Sequence, residues 1–234
     1  MVALQIGLTA LATWFILSRL GVGLRDVQNL DARWWSPSLP MLLLASGVLA
    51  SGYVVSAALW AWMVSDLGGR RIPNRRAVPL FLTANLGRYI PGKVWQILGL
   101  TYLSRAEGVA ARVAGAAAIL GQLFALGGAA LVGSAALAEG TAWHRGVAGV
   151  SALVLTVMTV GFLVPGLRQR ALSVLERWGD TEFDRPKMGA GFGLRWAVVY
   201  FLNWMIYAGA FWLFVRSYEP TVGFLETGPA FAAA

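Results

Sequence analysis

Two cations and a helix breaker lie close together in the stretch NLGRYIPGKVWQ, residues 85–96. Arg88 and Lys93 carry positive charge, and Pro91 interrupts any helix between them. This composition is suited to holding a phosphate, because arginine can bind two of its oxygens in parallel while lysine acts as a point charge. Alternatively, both side chains extend to the membrane surface and only anchor a shallow turn.

Backbone groups near the proline add to this chemistry. Proline is favoured in the first turn of a helix, so a helix starting near Pro91 would direct the free N–H of Gly92 at the same place as the two cations. Asn85 and Gln96 follow one turn outward, each on the side of its neighbouring cation. The predicted ligands of a lipid phosphate are Arg88, Lys93, Gly92, Asn85 and Gln96.

Composition indicates a membrane protein. Of 234 residues 58% are hydrophobic and 13% are charged, whereas about a quarter are charged in soluble domains. The charges form short islands between long apolar runs, and the net charge of +8 is explained by basic cytoplasmic loops rather than by nucleic acid binding. With no cysteine, one histidine (His144) and scattered acids, neither a metal site nor a cofactor is expected.

Long apolar runs predict an all-α, polytopic bundle of transmembrane helices in a single domain, residues 1–234. Each of the four clear spans is free of charge, a shorter run is best interpreted as an uncleaved first span, and a further apolar run begins near Thr221. The clear spans are Met41–Val64, Val113–Ala138, Gly146–Leu167 and Trp196–Val215, and the shorter run is Ala3–Ser18.

The segment Pro79–Ser104 contains the cationic stretch and is either one broken spanning helix or a re-entrant hairpin of two short arms. Loop charges distinguish the two, because basic residues concentrate on the cytoplasmic side. With a hairpin, one face collects Arg70, Arg71, Arg75, Arg76, Arg105, Arg112, Arg168, Arg170, Arg177, Arg185, Lys187 and Arg195. The other face then receives Arg19, Arg25, Arg33, Arg145 and Arg216.

Twelve basic residues against five favour the hairpin over the crossing helix, which would leave six against eleven. The first span alone would favour the opposite orientation, because basic residues follow it and none precede it. We therefore predict a re-entrant hairpin over about residues 79–104 in a multi-pass protein of the cell (inner) membrane. The amino terminus and the loops 66–78, 105–112 and 168–195 are predicted to be cytoplasmic.

Two further patterns are interpreted as packing surfaces. Small residues recur every four positions at Ala117, Gly121, Ala125, Ala129 and Gly133, which lets a neighbouring helix approach closely. Aromatic residues follow helical spacing at Trp196, Tyr200, Trp204, Tyr207, Phe211 and Trp212, and are expected to contact the bundle or lipid.

The stretch GRYIPGKVW, residues 87–95, resembles the motif of the flippase-like transmembrane region of lysylphosphatidylglycerol synthases. We assign hairpin geometry to its residues Gly87, Tyr89, Pro91 and Trp95. The resemblance covers essentially the whole chain and implies movement of a phospholipid or polyprenyl-phosphate lipid between leaflets. Such proteins also occur alone, beside glycosyltransferases.

Two departures from the family pattern limit this inference. A second glycine-rich motif usually follows a run like FLETGPAFAAA, so we expect the chain to be an incomplete flippase-like domain. The soluble aminoacyl-transfer domain of the synthases has no counterpart here, and lipid aminoacylation is therefore not expected.

The sequence is compatible with three functions. The first is binding and translocation of a phosphate-bearing, anionic lipid. The second is a non-transporting membrane partner of a glycosyltransferase or lipid synthase. The third is a membrane enzyme acting on a lipid-linked substrate, although the acids in ERWGDTEFD, residues 176–184, are better explained as a solvated loop.

Overall fold

The computed structural model describes residues 36–89, 94–134 and 190–233, together with isolated helical positions at 14, 153, 166, 170 and 173. These residues are almost entirely helical and contain no strand, which confirms the predicted all-α fold. The α-helices in this part of the chain are Leu39–Asp66 (α1), Asn74–Asn85 (α2), Trp95–Leu103 (α3), Ala111–Ser134 (α4), Ala190–Arg216 (α5) and Phe224–Ala233 (α6). Short 3-10 turns at Leu86–Tyr89 and Ser104–Glu107 follow α2 and α3.

Three of the helices are long and apolar enough to cross a membrane, namely α1 with 28 residues, α4 with 24 and α5 with 27. A bilayer core of about 30 Å needs roughly 20 residues at 1.5 Å per residue. α1 starts with a proline in its first turn, where the missing N–H costs no helical bond. The spans predicted to begin at Met41, Val113 and Trp196 correspond to α1, α4 and α5.

Contacts at both ends fix α1 and α5 in an antiparallel pair. At one end the Asp66 carboxylate forms an ion pair with Arg195 and accepts a hydrogen bond of 3.1 Å from the indole N–H of Trp196. At the other end the backbone N–H of Ser38 donates to the carbonyl of Ser217 at 2.7 Å. The two helices therefore run side by side over their whole length.

α4 begins at the same end of the bundle as the Asp66 ion pair. The indole N–H of Trp60, late in α1, reaches the carbonyl of Ala114 at 3.4 Å. We call this end the cationic end, because the loops and helix starts there carry Arg70, Arg71, Arg75, Arg76, Arg105, Arg112 and Arg195. Among the described residues, Arg216 lies at the opposite end, next to the Ser38–Ser217 contact.

Helices α2 and α3 fold back on each other as an antiparallel hairpin, residues 74–107. Near the turn, a Cβ on Gly87 would lie 2.8 Å from the carbonyl carbon of Trp95. Further back, a Cβ on Gly99 would lie 3.2 Å from the Cα of Ala84. At the base, Arg76 and Glu107 form an ion pair of 2.9 Å, so the chain returns to the cationic end from which it left.

Insertion of this hairpin into a bilayer from one side stays a prediction. The arms are short, with 12 residues in α2 and 9 in α3, and each covers less than the thickness of a bilayer core. Short connections join the base of the hairpin to the end of α1 and to the start of α4.

The buried core lies in the half of the bundle nearest the cationic end. Trp60 and Phe124 are each 2% exposed, and the ring of Phe124 stacks on Tyr200 with 6.1 Å between centroids. The stripe of small residues on α4 faces α5 as predicted, since a Cβ on Gly121 would lie 2.5 Å from the Tyr200 hydroxyl. Close contact between α4 and α5 therefore depends on the absence of side chains on that face.

Several element ends differ from the sequence predictions. The first arm begins at Asn74 and contains Pro79 within the helix. Proline has no N–H to donate to the carbonyl of Arg75, and the helix tolerates this because Arg75 is an exposed residue. The described second arm begins at Trp95, where the Val94 carbonyl accepts the first helical bond, and the start predicted near Pro91 lies outside the described residues.

The predicted loops are correspondingly shorter. Loop 66–78 ends where α2 begins, and loop 105–112 ends at Ala111. Loop 168–195 was predicted too long, because α5 already begins at Ala190, where Phe192 packs on Phe124 with 6.5 Å between ring centroids. The predicted spans Ala3–Ser18 and Gly146–Leu167 lie outside the described residues.

Substitution of Gly87 tests the closure of the hairpin. Gly87→Ala should lower thermal stability in detergent, because its Cβ would lie 2.8 Å and 2.9 Å from backbone atoms of Trp95 and Gln96. These backbone atoms cannot move aside as a flexible side chain would, and overpacking of this kind lowers the free energy of unfolding by about 1–3 kcal/mol. Gly47→Ala in α1 is the matched control, since nothing lies within 4 Å of its Cβ and alanine favours a helix. Equal melting temperatures for the two variants would contradict the close contact.

Single cysteines test the path of the hairpin in a bilayer, and the chain has no native cysteine to interfere. Asn74→Cys and Ala106→Cys flank the hairpin, and Thr221→Cys lies between α5 and α6 at the opposite end. An impermeant maleimide should label the first two from the same side of sealed vesicles and the third from the other side. Labelling of Asn74→Cys and Ala106→Cys from opposite sides would show that the segment crosses.

Candidate functional site

The hairpin places one cation beside the middle of α1. The Arg88 guanidinium, in the 3-10 turn after α2, donates to the Tyr53 hydroxyl at 3.4 Å. Thirteen residues of α1 separate Tyr53 from Asp66, which is about 20 Å along the helix. An arginine side chain is much shorter than this, so Arg88 does not extend back to the cationic end.

A polar cluster lies at the same depth between α1 and α5, and we call Tyr53, Ser56, Asn203 and Tyr207 the central polar cluster. The amide nitrogen of Asn203 donates to the Ser56 hydroxyl at 2.9 Å, and that hydroxyl also bonds the Tyr207 hydroxyl at 2.9 Å. Asn203 is 13 residues from either end of α5, so the cluster is central on both helices.

Ring packing connects the cluster to the cation. The rings of Tyr53 and Tyr207 meet edge to face with 5.7 Å between centroids. Tyr207 approaches α1 closely because Gly52 carries no side chain: a Cβ there would lie 2.9 Å from the tyrosine ring. Contacts therefore run without a break from Asn203 through Ser56, Tyr207 and Tyr53 to the Arg88 guanidinium.

Two buried amides in this region have an oxygen without a hydrogen-bond partner among the described residues. They are the side-chain oxygens of Asn85, which is 9% exposed, and of Asn203, which is 4% exposed. Leaving a buried polar atom unpaired costs about 1–3 kcal/mol. Each oxygen is an acceptor whose donor does not lie among the described residues.

Arg88 has no carboxylate partner among the described residues, and its side chain is exposed at the surface of the bundle. A lone arginine at the centre of a membrane helix costs about 2.5–3.5 kcal/mol even on insertion scales that include relaxation. An anion bound to the guanidinium would offset this cost. The described hydrogen-bond partner of Arg88 is the Tyr53 hydroxyl, and the hydroxyls and amide of the central polar cluster lie beyond it.

The structure places the predicted ligands unequally. Asn85 and Arg88 lie on the first arm, the former buried and the latter against Tyr53. Gln96 is half-buried at the start of α3, where its backbone faces Gly87. Pro91, Gly92 and Lys93 lie outside the described residues, so their predicted roles stay predictions.

The residues assigned to hairpin geometry have different environments. Gly87 is required for the close contact of the arms, and the backbone of Trp95 forms the other side of that contact. Tyr89 is 81% exposed, so its ring does not pack inside the described bundle.

The central polar cluster was missed by the sequence analysis, which treated Tyr207 as one of a row of packing aromatics. One signal was present: Asn203 is the only amide in the apolar run Trp196–Val215. A strongly polar side chain within a membrane span is expensive unless it has partners, and such residues are commonly functional.

Comparison with known proteins agrees with this architecture. A family model described as "Lysylphosphatidylglycerol synthase TM region" matches residues 2–234. No curated protein and no solved structure gave a match. Because the family match extends over almost every residue, the chain belongs to the lysylphosphatidylglycerol synthase transmembrane-region family, a lipid-related family of membrane proteins.

Proposed function

We propose that this protein binds a phosphate-bearing lipid at Arg88 and moves it between the leaflets of the membrane. The observation that carries the proposal is the contact between the Arg88 guanidinium and Tyr53, halfway along a helix long enough to span a bilayer. A cation held there has no carboxylate partner among the described residues, and a lipid phosphate would supply the missing negative charge.

The free energy of moving a head group through a bilayer supports this assignment. An ionised or polar group placed in hydrocarbon without partners loses several kcal/mol or more. Arg88 can bind two phosphate oxygens, and hydrogen bonds to a charged group are worth about 1.5–3 kcal/mol. The site therefore lowers the barrier at the depth where an unassisted head group would be least stable.

The neighbouring acceptors favour a head group that also carries hydrogen-bond donors. The unpartnered amide oxygens of Asn85 and Asn203 can accept bonds from glycerol or sugar hydroxyls, or from an ammonium group. A phospholipid and a polyprenyl-phosphate-linked saccharide both combine such donors with a phosphate. In this proposal the cationic end faces the cytoplasm, in accord with the location of most basic residues in membrane proteins.

Arg88→Gln tests the role of the cation. Translocation of a fluorescent anionic phospholipid in proteoliposomes should fall by about tenfold to a hundredfold, since one charge-assisted bond of about 1.5–3 kcal/mol is lost. Arg216→Gln removes the same charge at the opposite end of the bundle and should leave the rate near that of the unchanged protein. Equal rates for Arg88→Gln and the unchanged protein would disprove the proposal.

Asn203→Leu separates binding from stability. The substitution removes an unpaired amide oxygen but also the hydrogen bond to Ser56, whose hydroxyl keeps its bond to Tyr207, so the free energy of unfolding should change by no more than about 1.5 kcal/mol. Translocation should nevertheless fall several-fold, because an acceptor for the head group is lost. A variant that melts at a lower temperature but transports normally would instead show a structural role for Asn203.

The two other hypotheses have distinct outcomes in the same assays. If the wild-type protein moves no lipid but co-purifies with a glycosyltransferase or lipid synthase, it is a non-transporting partner of that enzyme. Turnover of a lipid-linked substrate by the purified protein would show an enzyme. Lipid aminoacylation is not part of this proposal.

A further inference from the structure

A second group of cations lines a cavity at the base of the hairpin, far from Arg88. The cavity has a volume of about 420 Å³. We call it the basal cavity, and its walls are formed by Arg70, Arg71, Pro73, Arg75, Arg76, Arg105, Ala106, Glu107 and Gly108.

Three separate segments bring these arginines together. The loop after α1 contributes Arg70 and Arg71, the first turn of α2 contributes Arg75 and Arg76, and the 3-10 turn after α3 contributes Arg105. The turn is completed by Gly108 at φ +73°, a conformation that favours glycine.

Gly108 also leaves room for a guanidinium. A Cβ at this position would lie 3.4 Å from the Nη1 of Arg70. The backbone of the turn therefore forms part of the wall against which the Arg70 side chain rests.

Negative charge in the cavity is scarce. Among the described residues of its lining, Glu107 is the only acid, and it pairs with Arg76 at 2.9 Å. The other four arginines have no carboxylate partner among the described residues. All five arginines are exposed residues, but they line one concave space, so their charges repel one another and favour an anion between them.

We infer that the basal cavity is a binding site for a phosphate-bearing anion with at least two negative charges, such as a diphosphate or an anionic lipid head group. Guanidinium groups bind phosphate oxygens in pairs, and a cavity of this volume is within the range of small-molecule sites. This site is independent of the one proposed at Arg88: twelve residues of the first arm, or about 18 Å of helix, separate Arg76 from Arg88.

Binding would join the three segments that form the cavity, so it should be measurable as stabilisation. Inorganic diphosphate, titrated into the purified protein in an uncharged detergent, should raise its melting temperature. The double variant Arg70→Gln with Arg105→Gln should bind diphosphate at least tenfold more weakly by calorimetry. Arg216→Gln, which removes one positive charge at the opposite end, should bind as the unchanged protein does.

A second double variant covers the case in which the glutamines prevent folding. Arg70→Lys with Arg105→Lys keeps both charges but loses the paired geometry of the guanidinium groups, and its affinity should fall several-fold. Affinities of both double variants within twofold of the unchanged protein would overturn the inference. An equal loss of affinity in Arg216→Gln would also overturn it, since binding would then depend only on net charge.

Vesicle experiments identify the source of the phosphate. If the natural ligand is a lipid, nanodiscs containing phosphatidylglycerol should weaken diphosphate binding relative to phosphatidylcholine nanodiscs, because the lipid occupies the cavity. If it is a soluble anion, the two nanodiscs should give the same diphosphate affinity. Arg88→Gln should retain diphosphate binding in either case, so failure of this inference is distinguishable from failure of the proposed translocation.

Discussion

The two arms of the hairpin are in close backbone contact at Gly87. This contact determines where the hairpin places Arg88 at its turn and the arginines at its base. The arms, of 12 and 9 residues, pack on each other, and the Arg76–Glu107 ion pair joins their outer ends at the cationic end. Closure brings Arg76 to Glu107 at the base, and it presents Arg88 to Tyr53 at the other end. A side chain at position 87 would separate the two arms, and this would disturb both the Arg76–Glu107 ion pair and the Arg88–Tyr53 contact.

The pair of helices α1 and α5 provides the rigid frame against which the hairpin is placed. Contacts at Asp66 and at Ser38 fix their register at opposite ends, and this register is what brings Ser56 opposite Asn203. Polar groups that meet in this way satisfy most of their hydrogen bonds inside the bundle. The unpaired amide oxygen of Asn203 is the exception, and it lies in the part of the frame that the Arg88 end of the hairpin reaches.

Sequence patterns predicted the described transmembrane helices but not the central polar cluster, and the difference has a physical reason. Hydropathy identifies apolar runs, and a local motif made Arg88 and Asn85 predicted ligands, because both signals lie within a few neighbouring residues. The partners Ser56 and Asn203 are 147 positions apart, and nothing in either helix alone specifies their relative register. Helix ends were also missed where packing extends a helix, as it does around Phe192 at the start of α5.

The surface of the hairpin between the two cationic positions is apolar, which supports the proposed lipid ligand. Large apolar side chains are exposed along the hairpin, with Leu86 65%, Leu98 51% and Tyr102 72% exposed. Such a surface is unfavourable in water but suited to contact with acyl chains. In the proposed function, a lipid whose head group is held by the Arg88 guanidinium would keep its tails against this apolar surface. A soluble anion would need only guanidinium partners, and the exposed apolar side chains of the hairpin would then have no role in its binding.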